Sequence, residues 1–139
     1  MSAEVGTTVV HRRYVPFSDA HYAGNLVDGA YSLKLFGDVA TEMCIRTDGD
    51  EGLFASYSDV QFLAPVRAGD VVEARATLIH VGTRSRRMEF ALLVVARAGD
   101  GQDAGPGPGS APGSTADSAS RMLPEPILAT TAVGTVVVP

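Results

Sequence analysis

The sequence contains one cysteine, Cys44, so no disulfide can close within the chain, and this usage fits a reducing compartment. No apolar run reaches the roughly 20 residues that a membrane-spanning helix needs. The stretch from Met1 to Val10 lacks a basic region followed by a long apolar segment, so no signal peptide is expected. Positive charge is also scarce. Eleven Lys and Arg face sixteen Asp and Glu, a formal net charge of −5, which argues against a broad electrostatic grip on nucleic acid or an anionic membrane. No Gly-x-Ser-x-Gly elbow, P-loop or dinucleotide fingerprint is present. His11, His21 and His80 are spread over different elements without ligand spacing, which argues against a metal site. These absences lead to the expectation of a soluble cytoplasmic protein with no resident cofactor.

What is present suffices for one domain, expected to span residues 1–139. Of its 139 residues, 45 % are hydrophobic, enough for a core and too many for a disordered chain. The alternating, β-branched segment Thr7 to Val15 predicts a first strand. A loop covers Ser18 to Gly24. A helix is expected from near Asn25, read as its N-cap, with Asp28 in the capping-box position. Leu26, Ala30, Leu33, Gly37, Ala40 and Cys44 recur at helical spacing, flanked by Phe36 and Met43, and predict the buried face. At about 1.5 Å per residue, such a helix ending near Arg46 is roughly 30 Å long and must be central to a domain this small.

Three strands follow, over Leu53 to Leu63, Val71 to Val81 and Arg86 to Ala96, with a turn at Arg67-Ala-Gly-Asp70. Residues 99–121 hold no aromatic or large aliphatic side chain and are expected to form a flexible loop. Ile127 to Val138 supplies a last strand. The implied architecture is α+β, an antiparallel sheet around one long helix. Few strands for the helix, and several of them apolar on both faces, point to a homodimer or higher homo-oligomer.

The segment Asp19-Ala-His-Tyr-Ala-Gly-Asn-Leu-Val-Asp-Gly-Ala30 carries the densest set of candidate chemical groups. From His21 onward it resembles the helix-start motif of hotdog-fold acyl-CoA thioesterases. Val60-Gln-Phe-Leu-Ala-Pro-Val-Arg-Ala-Gly-Asp70 and Val81-Gly-Thr-Arg-Ser-Arg-Arg-Met-Glu-Phe90 look like further parts of that superfamily. Together with Leu35-Phe-Gly-Asp-Val-Ala-Thr-Glu42 and Asp48-Gly-Asp-Glu-Gly-Leu-Phe54, the pattern is most similar to the 3-aminobutyryl-CoA and β-alanyl-CoA ammonia-lyase branch. The match covers roughly residues 7–98, and the 99–121 insertion departs from it. The resemblance implies a hotdog fold and an acyl-CoA or acyl-carrier thioester substrate. It implies reversible elimination of ammonia, with thioester hydrolysis or non-catalytic acyl-CoA binding as alternatives.

Ammonia elimination needs a base for the Cα proton, a stabiliser for the enolate oxygen and a route for the amine. The unpaired amides and positive end of a helix can serve the oxygen. Asp19, His21, Asn25, Asp28 and Glu42 are the catalytic candidates, each with a structural alternative. Asp19 can order the loop through an Asx turn, and His21 can be a proton shuttle or a loop histidine. Asn25 and Asp28 can be caps. Glu42 can be a solvated helix charge; it lies 14 residues beyond Asp28, about 21 Å along the axis, so the two cannot share one reaction centre within a chain. Tyr22, Gly24 and Gly29 complete the expected substrate contacts. Arg84, Arg86 and Arg87 form the dense basic cluster, read with Ser85 as a CoA-phosphate site or alone as charge guarding an edge strand. Cys44, on the apolar face, reads as a packed thiol.

Overall fold

The computed structural model describes residues 3–99 and 118–139. Five strands, β1 (Thr8–Tyr14), β2 (Leu53–Phe62), β3 (Val71–Val81), β4 (Ser85–Ala98) and β5 (Ser120–Val137), form one antiparallel sheet in the order β1-β3-β4-β5-β2. Helix α1 (Gly29–Asp48) crosses one face, and two single 3₁₀ turns, Phe17–Asp19 and Ala23–Asn25, lead into it. Inward positions on β3 and β4 alternate as period-2 pleating requires, with Val72, Ala74, Ala76 and Leu78 facing Met88, Leu92 and Val94 beneath the helix. Gly134 on β5 leaves room for the Phe54 and Phe90 rings. A Cβ at Gly134 would stand 2.5 Å from the Phe54 ring.

The helix is 20 residues long but starts at Gly29, with its N-cap three positions after the expected Asn25, and ends at Asp48. Its buried face is Ser32, Leu35, Phe36, Val39, Ala40, Met43, Cys44 and Thr47. The expected stripe was therefore rotated: Leu26 precedes the helix, Ala30 is exposed, and Leu33 and Gly37 are half-buried. Phe36 stacks on Phe90 at 5.0 Å between ring centres and is fully buried. Burial of a side chain that size contributes about 1.5–3 kcal/mol. Cys44 is buried, and desolvation pushes its thiol up to about 11, so it packs as an inert side chain.

The last strand begins earlier than expected. Ser120 and Arg121 pair with Ala98 and Arg97, while Pro124 and Pro126 fall where the register jumps from Met122 to Ile127. Proline cannot donate to a ladder, and both fall where β5 breaks register and is paired with β4 alone. Most of the expected 99–121 loop, residues 100–117, lies outside the described residues.

Candidate active site

The start of α1 is set by Asp28. Its backbone is extended (φ −82°, ψ 168°) and its Oδ1 accepts from the Tyr31 amide at 3.2 Å. Asp28 is thus the N-cap itself, and Asn25 is not. Gly24 (φ 75°) and Asn25 (φ 61°) are both left-handed. They reverse the chain so that the His21 and Tyr22 amides reach the Leu26 carbonyl at 2.8 and 2.9 Å. Asparagine tolerates that conformation nearly as well as it caps a helix, which is why the two roles look alike in sequence.

The segment before the helix is fastened to the Pro65–Asp70 turn. Asn25 O accepts from Ala68 N at 2.8 Å, and Val27 N donates to Val66 O at 3.0 Å. That turn is in turn fixed by a buried ion pair. Asp70, with no exposed surface, accepts from Arg97 Nε and Nη2 at 3.1 Å each, and its Oδ2 also accepts from Arg67 N at 2.8 Å. Arg97 Nη2 further donates to Pro65 O at 3.1 Å. The Gly-Asp turn therefore works as the anchor of the helix mouth. Removing either charge strands the other in the interior, which costs about 3–5 kcal/mol.

Two clefts meet at Asp28. One, of about 450 Å³, runs between the helix mouth and the end of β2, lined among others by Tyr22, Asp28, Gly29, Ser32, Phe62 and Thr130. The other, of about 360 Å³, is lined by Asp19, His21, Asp28, Tyr31 and Lys34 among others. Gly29 forms part of the first cleft because it has no side chain: a Cβ there would stand 2.5 Å from the Phe62 ring. Asp28 Oδ1 is taken by the cap, and Oδ2 faces His21 Nδ1 at 4.0 Å. His21 meets Tyr22 edge-on at 4.6 Å. Burial, reinforced by the Asp19 carboxylate and partly offset by Arg13, raises the Tyr31 hydroxyl above its ordinary range, so it stays a neutral donor.

Asp19, His21, Tyr22, Asp28 and Gly29 thus line the two clefts that meet at Asp28, while Gly24 and Asn25 shape the turn before them and line neither. Glu42 does not join them. It accepts from His11 Nε2 at 2.8 Å and pairs with Arg46 at 2.6 Å, tying β1 to α1. The His11 hydrogen bond, with the Arg46 charge, holds its carboxyl below the usual range.

The basic cluster is elsewhere as well. Arg86 is buried and donates to Asp48 at 2.6 and 2.9 Å and to the carbonyls of Gly82 and Ser85, leaving its fork occupied. Arg84 and Arg87 are exposed on and beside the β3–β4 turn, where the Ser85 carbonyl accepts from Gly82 N at 2.9 Å. Because Asp48 ends α1, the cluster lies about 30 Å from the mouth within one chain, the length of the 20-residue helix. Sequence reading missed Tyr31, Ser32, Phe62 and Thr130. Only the first had a local signal, its position three residues after the cap.

Comparison with known proteins identifies the family. A family model described as the thioesterase superfamily matches residues 24–96, from the left-handed turn before α1 nearly to the end of β4. The chain belongs to the thioesterase superfamily. Within this superfamily it is 47 % identical over 122 residues to the 3-aminobutyryl-CoA ammonia lyase of Acetoanaerobium sticklandii, covering 87 % of this chain and 86 % of that protein. The structure of β-alanyl-CoA:ammonia lyase from Clostridium propionicum superposes with a TM-score of 0.82 at 36 % identity, covering 97 % of this chain and 87 % of that one. A hexameric hotdog-fold thioesterase from Campylobacter jejuni superposes at 0.68 with 20 % identity over 93 % of this chain and 80 % of its own, which establishes the hotdog fold. No described helix is long and apolar enough to cross a membrane.

Proposed function

We propose that this superfamily member is a 3-aminoacyl-CoA ammonia-lyase, a carbon–nitrogen lyase that reversibly eliminates ammonia from a β-aminoacyl-CoA thioester. The observation that carries this reading is the 47 % identity to an ammonia lyase over 87 % of the chain. The thioesterase structures share 18–20 % identity and speak for the fold alone. CoA enters as part of the substrate, and the reaction asks for no resident cofactor.

The mouth of α1 supplies what the chemistry requires. The first-turn amides of Gly29 and Ala30 lie before any intrahelical acceptor and at the positive end of the helix, suited to a thioester oxygen gaining enolate charge. Asp28 takes the Cα proton through the oxygen not used by the cap. His21 and Asp19 stand behind it as proton relay and as a partner for Tyr31.

The enzyme works as a homo-oligomer. β2 is an edge strand, and Leu53, Phe62 and the following Leu63 are exposed large apolar side chains. Antiparallel pairing of β2 with its copy would set the two α1 helices antiparallel, carrying Arg84 and Arg87 of each protomer toward the mouth end of the other.

Incubating the protein with crotonyl-CoA and ammonium, while following enoyl absorbance and free thiol together, tests the reading. Enoyl loss without thiol is the expected result. Thiol release would replace it with hydrolysis, and tight binding with neither change would leave an acyl-CoA-binding subunit.

A further inference from the structure

Three residues of α1 carry aliphatic hydroxyls. Thr41 and Thr47 satisfy theirs on the carbonyls four residues back, Gly37 at 2.9 Å and Met43 at 3.0 Å. This is the usual arrangement for a hydroxyl inside a helix. Ser32 instead turns across the helix–sheet boundary to Thr130 Oγ1 at 3.0 Å, 98 residues away in sequence. Both side chains are 2 % exposed, yet both line the cleft at the helix mouth. Apart from Asp28 and the exposed Tyr22, the other side chains lining that cleft are apolar. A hydroxyl pair shares one hydrogen, so lone pairs remain on both oxygens.

Their position matches one atom of the substrate. Ser32 lies four residues after Asp28, one turn deeper and about 6 Å further along the axis. With the thioester oxygen on the first-turn amides and Cα beside Asp28, the next atoms into the cleft are Cβ and its nitrogen. We propose that the Ser32 and Thr130 hydroxyls form the subsite that holds the amine, deepening the lyase reading on which this rests.

In elimination, Asp28 takes the Cα proton and the C–H electron pair becomes the Cα–Cβ double bond. The Cβ–N bond breaks, nitrogen keeps its pair, and an ammonium group departs as ammonia. The proton on Asp28 then returns it to ammonium. In the addition direction Asp28 first takes a proton from ammonium. The two hydroxyl oxygens accept ammonia N–H bonds while its lone pair attacks Cβ, the Cα–Cβ π pair moves to Cα, and Asp28 delivers its proton there. Both oxygens can accept N–H bonds from the substrate's ammonium group or from free ammonia, so one hydroxyl pair serves both directions.

The test is steady-state kinetics of the full chain with crotonyl-CoA and ammonium, comparing Thr130→Val and Ser32→Ala with the unaltered protein. Loss of a hydrogen bond to the reacting nitrogen should lower kcat/KM for ammonium about tenfold while the KM for crotonyl-CoA moves less than about twofold. Thr130→Ser should restore the ammonium value. Equal changes toward both substrates, or a loss that only follows a lowered Tm, would reduce the pair to a helix–sheet strut and overturn the inference. If the unaltered protein adds no ammonia, the lyase reading falls first and the subsite with it.

Discussion

The two ends of α1 are built from the same kinds of residues and treat them in opposite ways. At the C-terminal end Gly49 (φ 68°) closes the helix, and Asp48 and Arg86 meet through two hydrogen bonds with carbonyls taking the remaining donor. At the N-terminal end Asp28 spends one oxygen on the cap and leaves the other toward an exposed imidazole and two clefts. Charge committed on all sides stabilises a fold. Charge left partly uncommitted, on a rigidly anchored backbone, is available for chemistry. The contrast also separates Arg86 from its neighbours: the central member of the arginine cluster is already occupied.

The sharpest way to break this contrast is Asp28→Asn. Asparagine caps a helix as well as aspartate does, so thermal stability should hold. Turnover should fall by about 10²–10⁴-fold if Asp28 is the base, as measured by enoyl absorbance. At the other end, Arg86→Ala should do the reverse, lowering the denaturant midpoint by the equivalent of about 3 kcal/mol by leaving Asp48 unpaired in a largely buried site. Arg86 also holds the Asp48 carboxyl below its usual range. Stability from that pair is therefore fully present above the ordinary carboxylate range and is lost as pH falls through the depressed value. Arg86→Ala should flatten the acid limb of the Tm-versus-pH curve.

A smaller effect is expected at Gly29→Ala. The added methyl must displace the Phe62 ring, whose far end is mobile enough to move, so stability should change by under about 1 kcal/mol. The KM for the thioester should rise several-fold, and Phe62→Leu in the same chain should recover it. Least of all, Glu42→Gln should alter stability by under about 1 kcal/mol, as half-exposed pairs do, and leave turnover unchanged.

Much of this arrangement was legible beforehand, for local reasons. Strand alternation gave β3 to the residue and placed β1, β2 and β4 within two residues at each end. The gathering of Asp19, His21 and Asp28 followed from their closeness in sequence. Failures came where distant partners decide. The helix starts late because two left-handed residues and the Pro65–Asp70 anchor hold Tyr22–Leu26 in a turn. The start of β5 was hidden by Pro124 and Pro126, which fall at a register break. Ser32–Thr130, Arg86–Asp48 and Arg97–Asp70 join residues 98, 38 and 27 positions apart, and no periodicity announces such pairs.

That the Cα proton leaves at the mouth of α1, to Asp28, is tested most directly by isotope exchange. A 3-aminoacyl-CoA incubated with the enzyme in deuterated water should gain deuterium at Cα. The same incubation with Asp28→Asn, folded to the same midpoint, should leave Cα protonated. Undiminished deuterium with the variant would place the base elsewhere and reduce Asp28 to a cap.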